Sequence, residues 1–78
     1  MLPTSAQIVA ARALLLMEQR TLADLADVHV STLVRIEAAG WKVAPGNAST
    51  IDRIVSVLER KGIEFIENGV RLTKRPRR

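Results

Sequence analysis

Apolar residues recur at helical spacing along most of this chain and switch to alternation near its end. Ile8, Ala11 and Leu15 fall at steps of three and four, flanked by Leu14, inside a run of good helix formers from Ala6 to Met17. Thr4 with Gln7 three residues on fits a capping box, and Ser5 is a competing N-cap. These signals predict a first helix over residues 6–17. Glu18-Gln19-Arg20 interrupts the apolar run, which places a turn near Glu18. A second helix over 19–26 then turns Leu22, Ala23 and Ala26 inward. Asp27-Val28-His29 reads as a tight turn, because aspartate tolerates a left-handed backbone better than most residues with a Cβ.

A third helix is predicted over 30–39, with Leu33 and Ile36 as its buried stripe and Gly40 ending it. Trp41 to Ala48 holds Pro45-Gly46-Asn47 and reads as loop. Ser49 with Asp52 is another capping-box pattern. It opens a fourth helix over 50–61, with Ile51, Ile54, Val55 and Leu58 on one side. Arg60 and Lys61 suit the negative end of its dipole, and Gly62 suits the position after it. The period then changes to two. Ile63-Glu64-Phe65-Ile66-Glu67 favours a strand, Asn68-Gly69 signals a hairpin turn, and Val70-Arg71-Leu72-Thr73 mirrors the first strand. The expected fold is mainly α: a small four-helix helix-turn-helix domain over residues 5–62, a C-terminal β-hairpin over 63–73, and a basic tail over 74–78.

Seventy-eight residues suffice for one small core, and 47% hydrophobic with 26% charged residues is globular composition. Without cysteine there is no disulfide, thiolate zinc site or cysteine nucleophile, and one histidine rules out a multi-histidine metal site within the chain. No cofactor is expected. No apolar run reaches the length of a membrane span, and the opening residues lack the pattern of a signal peptide, so the expectation is a cytoplasmic protein with no membrane partner. The formal net charge is +4, from 12 basic and 8 acidic residues. Arg71, Lys74, Arg75, Arg77 and Arg78 lie in the last eight positions, leaving 7 basic against 8 acidic residues over 1–70, a balance of −1. The basic end suits a polyanion or serves as a solubilising terminus. The near-neutral body means that local motifs must carry any functional assignment.

The stretch Ala11-Arg12-Ala13-Leu14-Leu15-Leu16-Met17-Glu18-Gln19-Arg20-Thr21-Leu22-Ala23 resembles the opening of the phage repressor/Cro family, the XRE-type helix-turn-helix transcriptional regulators. Ser31-Thr32-Leu33-Val34-Arg35-Ile36-Glu37 resembles that family's recognition helix, at ungapped spacing from Leu22-Ala23. The hairpin segment looks like one found in small bacterial members. The resemblance covers about residues 6–61. It implies sequence-specific binding to double-stranded DNA by a dimeric repressor that reads a pseudo-palindromic operator in the major groove with helix 3.

Carried over by position, Gln19 would bond a phosphate at the start of helix 2, or be an ordinary surface glutamine. Arg12 and Glu37 would pair across helices 1 and 3 while Arg12 sits near the phosphates. His29, Val30, Ser31 and Arg35 would face bases, with arginine matching the O6/N7 edge of guanine and valine a thymine methyl. Thr32, Lys42, Asn47 and Ser49 would lie near the backbone, the last three alternatively serving as loop and cap. Asp27 stands where the family usually has glycine, and Glu18 and His29 stand where it usually caps with Ser or Thr. Trp41 is expected to anchor packing rather than stack on bases.

Ile63, Phe65, Val70 and Leu72 are the expected dimer contact, because a lone hairpin is marginal in water; the rival is a hairpin folded onto helix 4 of its own chain. Nothing in the sequence reads as a small-molecule effector site. An enzyme is not expected, for no nucleophile–base pair, metal cluster or glycine-rich phosphate loop is present. The competing function is a protein-binding module, of antiactivator or antitoxin-like kind, on the same scaffold.

Overall fold

A computed structural model describes residues 2–73 of the chain; the basic tail assigned to 74–78 lies outside them. The element order is α1 (Ser5–Leu14), α2 (Gln19–Ala26), α3 (Val30–Ile36), a 3₁₀ turn (Glu37–Ala39), α4 (Ala48–Arg60), β1 (Ile63–Ile66) and β2 (Gly69–Leu72). This is the expected mainly α architecture, with α2 and α3 packed as a helix-turn-helix and a two-stranded antiparallel hairpin closing the chain. Among the described residues no helix is long and apolar enough to cross a membrane.

Thr4 takes the N-cap of α1. Its hydroxyl accepts from the Gln7 amide at 3.1 Å, and Gln7 Oε1 accepts from the Thr4 N–H at 2.9 Å. Ser5 is therefore the first helical residue, not the cap, and its buried hydroxyl reaches across to the end of α3. There it donates to the Ile36 carbonyl and accepts from the Ala39 N–H. Both of those backbone groups would be needed to continue an α-helical ladder. Their capture by Ser5 explains why α3 stops at Ile36 and tightens into a 3₁₀ turn instead of running to residue 39 as predicted.

α1 is also shorter than predicted. Residues 14–17 are all good helix formers, yet Leu16 adopts φ 54°, the left-handed region. Leu16 N–H donates to Ala13 O at 3.1 Å and Met17 N–H to Arg12 O at 2.9 Å, the paired closure of a Schellman motif. Asp27 ends α2 in the same way at φ 58°, as the sequence predicted, with Val28 N–H donating to Ala23 O at 2.9 Å. α4 begins earlier than residue 50, because Asn47 is its cap: Oδ1 accepts from the Thr50 N–H at 2.9 Å, and Ser49 lies inside the first turn.

Gly40, read as the end of the third helix, and residues 41–44, read as loop, run antiparallel to the start of α1. Ala6 N–H donates to Gly40 O at 2.8 Å, Ser5 N–H to Lys42 O at 3.1 Å, and Ala44 N–H to Pro3 O at 2.9 Å. Gly40 sits at φ 62°, ψ −121°, a conformation that a side chain would strain.

The core joins Ile8, Ala11 and Leu15 to Leu22, Ala23 and Ala26, to Leu33 and Ile36, and to Ile51, Ile54, Val57 and Leu58. Val57, which the sequence pattern missed, joins the buried stripe of α4, and Val55 packs partly buried against the core. In the hairpin, Ile63 faces Leu72 and Phe65 faces Val70. Gly69 pairs with Ile66, so the turn centres on Glu67 and Asn68, with Asn68 at φ 60°. The hairpin packs on α1 as well as on α4. Its anchor is Gln7, whose Nε2 donates to Ile66 O at 2.7 Å and to Gly69 O at 3.0 Å.

Candidate nucleic-acid interface

The seven residues of α3 divide cleanly. Leu33 and Ile36 are buried, while Val30, Ser31, Val34 and Arg35 are exposed and Thr32 is half-buried. At 100° per residue, Ser31 lies opposite the buried stripe, with Val34 and Arg35 on either side of it. Three of the four predicted base-facing residues, Val30, Ser31 and Arg35, thus share the outward face, and exposed His29 stands just before the helix. Val34 belongs with them and was missed. Its signal was its place four residues after Val30 and off the Leu33/Ile36 stripe. Arg35 enters no ion pair among the described residues. It borders a cleft of about 290 Å³ together with Thr32, Ile36, Pro45 and Gly46.

The angle of α3 is held by a polar cluster at its end. Arg12 Nε donates to Glu37 Oε2 at 2.8 Å and Arg12 Nη2 to Glu37 Oε1 at 2.9 Å, a bidentate pair. Side-chain exposure is 18% for Arg12 and 4% for Glu37. Arg12 Nη1 also donates to the Met17 carbonyl at 2.9 Å, tying the pair to the chain just after α1. Gln19 Nε2 adds a third donor on Glu37 Oε1 at 2.8 Å. The predicted Arg12–Glu37 pair is therefore present. Gln19 is not a loose surface residue, since one of its amide hydrogens is held by that carboxylate. Three Arg12 nitrogens are thus engaged by Glu37 and the Met17 carbonyl.

Glu18 and His29, the N-cap residues of α2 and α3, make no side-chain cap bond. Arg20, Asp24, Val28, His29 and Val30 border a shallow cleft beside the turn, so a cation and a carboxylate share that rim. Lys42 is exposed past the 3₁₀ turn, with its carbonyl committed to α1. Asn47 and Ser49 serve the α4 cap, Ser49 Oγ donating to Asn47 Oδ1 at 3.0 Å.

Two expectations are corrected. Trp41 does not anchor packing: it is 76% exposed, because the chain around it pairs its backbone with α1 and leaves the indole outside. Ile63, Phe65, Val70 and Leu72 do not wait for a second chain to cover them. Ile63 is buried in its own core, and the other three are partly buried against it. The opposite hairpin face carries an exposed cross-strand pair, Arg71 Nε donating to Glu64 Oε1 at 3.0 Å, and the exposed Ile66. Among the described residues, no three His, Cys, Asp or Glu side chains gather as metal ligands would. Comparison with known proteins finds no matching family model, no matching curated protein and no matching solved structure.

Proposed function

We propose that this chain is a sequence-specific double-stranded-DNA-binding transcriptional regulator of the phage repressor/Cro kind, a dimeric repressor that lays α3 in the major groove. It acts without enzymatic activity or a cofactor. The observation that carries the reading is the outward face of α3. It bears an arginine that is unpaired among the described residues, a serine and two valines, with no carboxylate between Val30 and Ile36. The one acidic residue that follows, Glu37, is turned inward onto Arg12. α3 itself presents no like charge to a polyanion, exposed Asp24 and Asp27 lying beside its start, and a rigidly held helix reads bases with little ordering cost.

In this reading Arg35 takes the O6/N7 edge of a guanine, and Ser31 and His29 contact neighbouring base edges. The second amide hydrogen of Gln19, the hydroxyl of Thr32, and Lys42 and Asn47 meet phosphates. The dimer contact lies at a hairpin edge through backbone groups, because the hairpin's apolar side chains serve their own protomer. A cytoplasmic location accompanies the reading. The second reading, a protein-binding antiactivator or antitoxin-like module, is favoured by the exposed Trp41 and by Leu16, which is 90% exposed.

A gel shift against the DNA upstream of the chain's own gene, with random DNA as competitor, tests the assignment. The expected result is a specific shift that Arg35→Ala weakens by about fivefold or more, in keeping with roughly 1–3 kcal/mol for a bidentate base contact. Equal affinity for both DNAs at every salt concentration overturns the reading and favours the protein partner.

A further inference from the structure

The outward face of α3 holds two stripes. Ser31 and Arg35 form a polar one, and Val30 and Val34, 37% and 47% exposed, form an apolar one beside it. Neither valine is part of the core cluster, which draws on α3 only through Leu33 and Ile36. Valine holds one strongly preferred χ1 rotamer in a helix, so both isopropyl groups stand at fixed places. Four residues of α-helix span about 6 Å, close to two base-pair steps of about 3.4 Å. Resting on the DNA-binding reading, we infer that Val30 and Val34 read the 5-methyl groups of pyrimidines in the operator's major groove. Each half-site then carries two such methyls within about two base steps, beside the guanine taken by Arg35.

The chemistry selects this occupant. A pyrimidine 5-methyl group is the apolar feature that the major groove displays, and the polar edges around it match the Ser31–Arg35 stripe. No residue of α3 carries a carboxylate, and Asp24, which shares a rim with Val30, belongs to α2 and stands there with the cation Arg20. Two natural bases present the methyl, thymine and 5-methylcytosine, and they share the geometry that the valines contact.

The test begins with enrichment of bound duplexes from a random library by the full chain. Each thymine of the enriched site is then replaced by uracil, which removes only the methyl. Affinity falls about fourfold at each position facing a valine, the worth of one buried methylene-sized group, and stays constant elsewhere. Val34→Ala abolishes the uracil effect at one position while the guanine preference persists. Both valines are exposed, so thermal melting of the variants stays at the wild-type temperature. In place of cytosine at the same positions, 5-methylcytosine raises affinity if either methylated base is read; no gain assigns the contact to thymine. Uracil-substituted duplexes that bind as tightly as the parent at every position overturn this inference and leave DNA binding intact. A library that yields no enriched sequence overturns the DNA-binding reading and this inference with it.

Discussion

Glu37→Gln is the most informative single change, because one carboxylate collects two donors from Arg12 and one from Gln19. The substituted amide keeps one acceptor oxygen and turns an NH₂ group toward a guanidinium that has donors only. Arg12 would then be a partly buried cation without its counter-charge. Removing one partner of a buried pair costs about 3–5 kcal/mol. Arg12 keeps some exposure and its bond to the Met17 carbonyl, which places the loss near the lower end, about 3 kcal/mol. A chain of this length has a total stability of roughly 4–12 kcal/mol, so the loss is a large share of it. The melting temperature should fall by about 12–24 °C, at about 4–8 °C per kcal/mol for a domain of this size.

Urea titration with a double-mutant cycle checks the origin of the loss. Arg12→Met and Glu37→Leu are each destabilising alone. The double variant recovers part of the loss, because no charge is left stranded, and the coupling exceeds about 1.5 kcal/mol. Glu37→Gln within about 0.5 kcal/mol of the parent, or additive single changes, would refute the claim that this pair fixes α3.

Further outcomes can be checked alongside it. Leu16→Gly should raise stability by about 0.5 kcal/mol in a thermal melt, since it relieves a left-handed leucine and removes an exposed side chain, offset by the greater freedom of glycine when unfolded. Gln7→Leu should lower stability by about 2 kcal/mol and speed amide exchange in β1 and β2, because the turn carbonyls of Ile66 and Gly69 lose their shared donor. Lys42→Ala should weaken binding to all DNA sequences alike and reduce the salt slope by about 0.9, measured by titration at several salt concentrations. Sedimentation should give a species of roughly twice the 8.6 kDa chain mass; a single-chain mass at micromolar concentration removes the two-fold operator from the functional reading.

Local chemistry made much of this molecule legible in the linear order of its residues. The Leu22/Ala23/Ala26 and Leu33/Ile36 stripes, the left-handed Asp27, and the alternation of Ile63 with Phe65 and of Val70 with Leu72 each depend on neighbours within one helix or strand. Periodicity and capping report such short-range constraints directly. The Arg12–Glu37 pair was reached through resemblance, not through spacing alone.

Tertiary structure decided what depends on atoms brought together from distant positions. Ser5 shortens α3 from 31 residues away, and Gln7 seats the hairpin turn from about 60 away. No local pattern records either contact. The same reason explains Trp41: whether an indole is covered depends on which segment pairs with residues 40–44, and that partner is the start of α1. The hairpin's apolar residues were correctly read as needing cover, but pattern alone names no covering surface. Packing against α1 and α4 supplied it within one chain, because two strands of four residues are too few to hold their own apolar face.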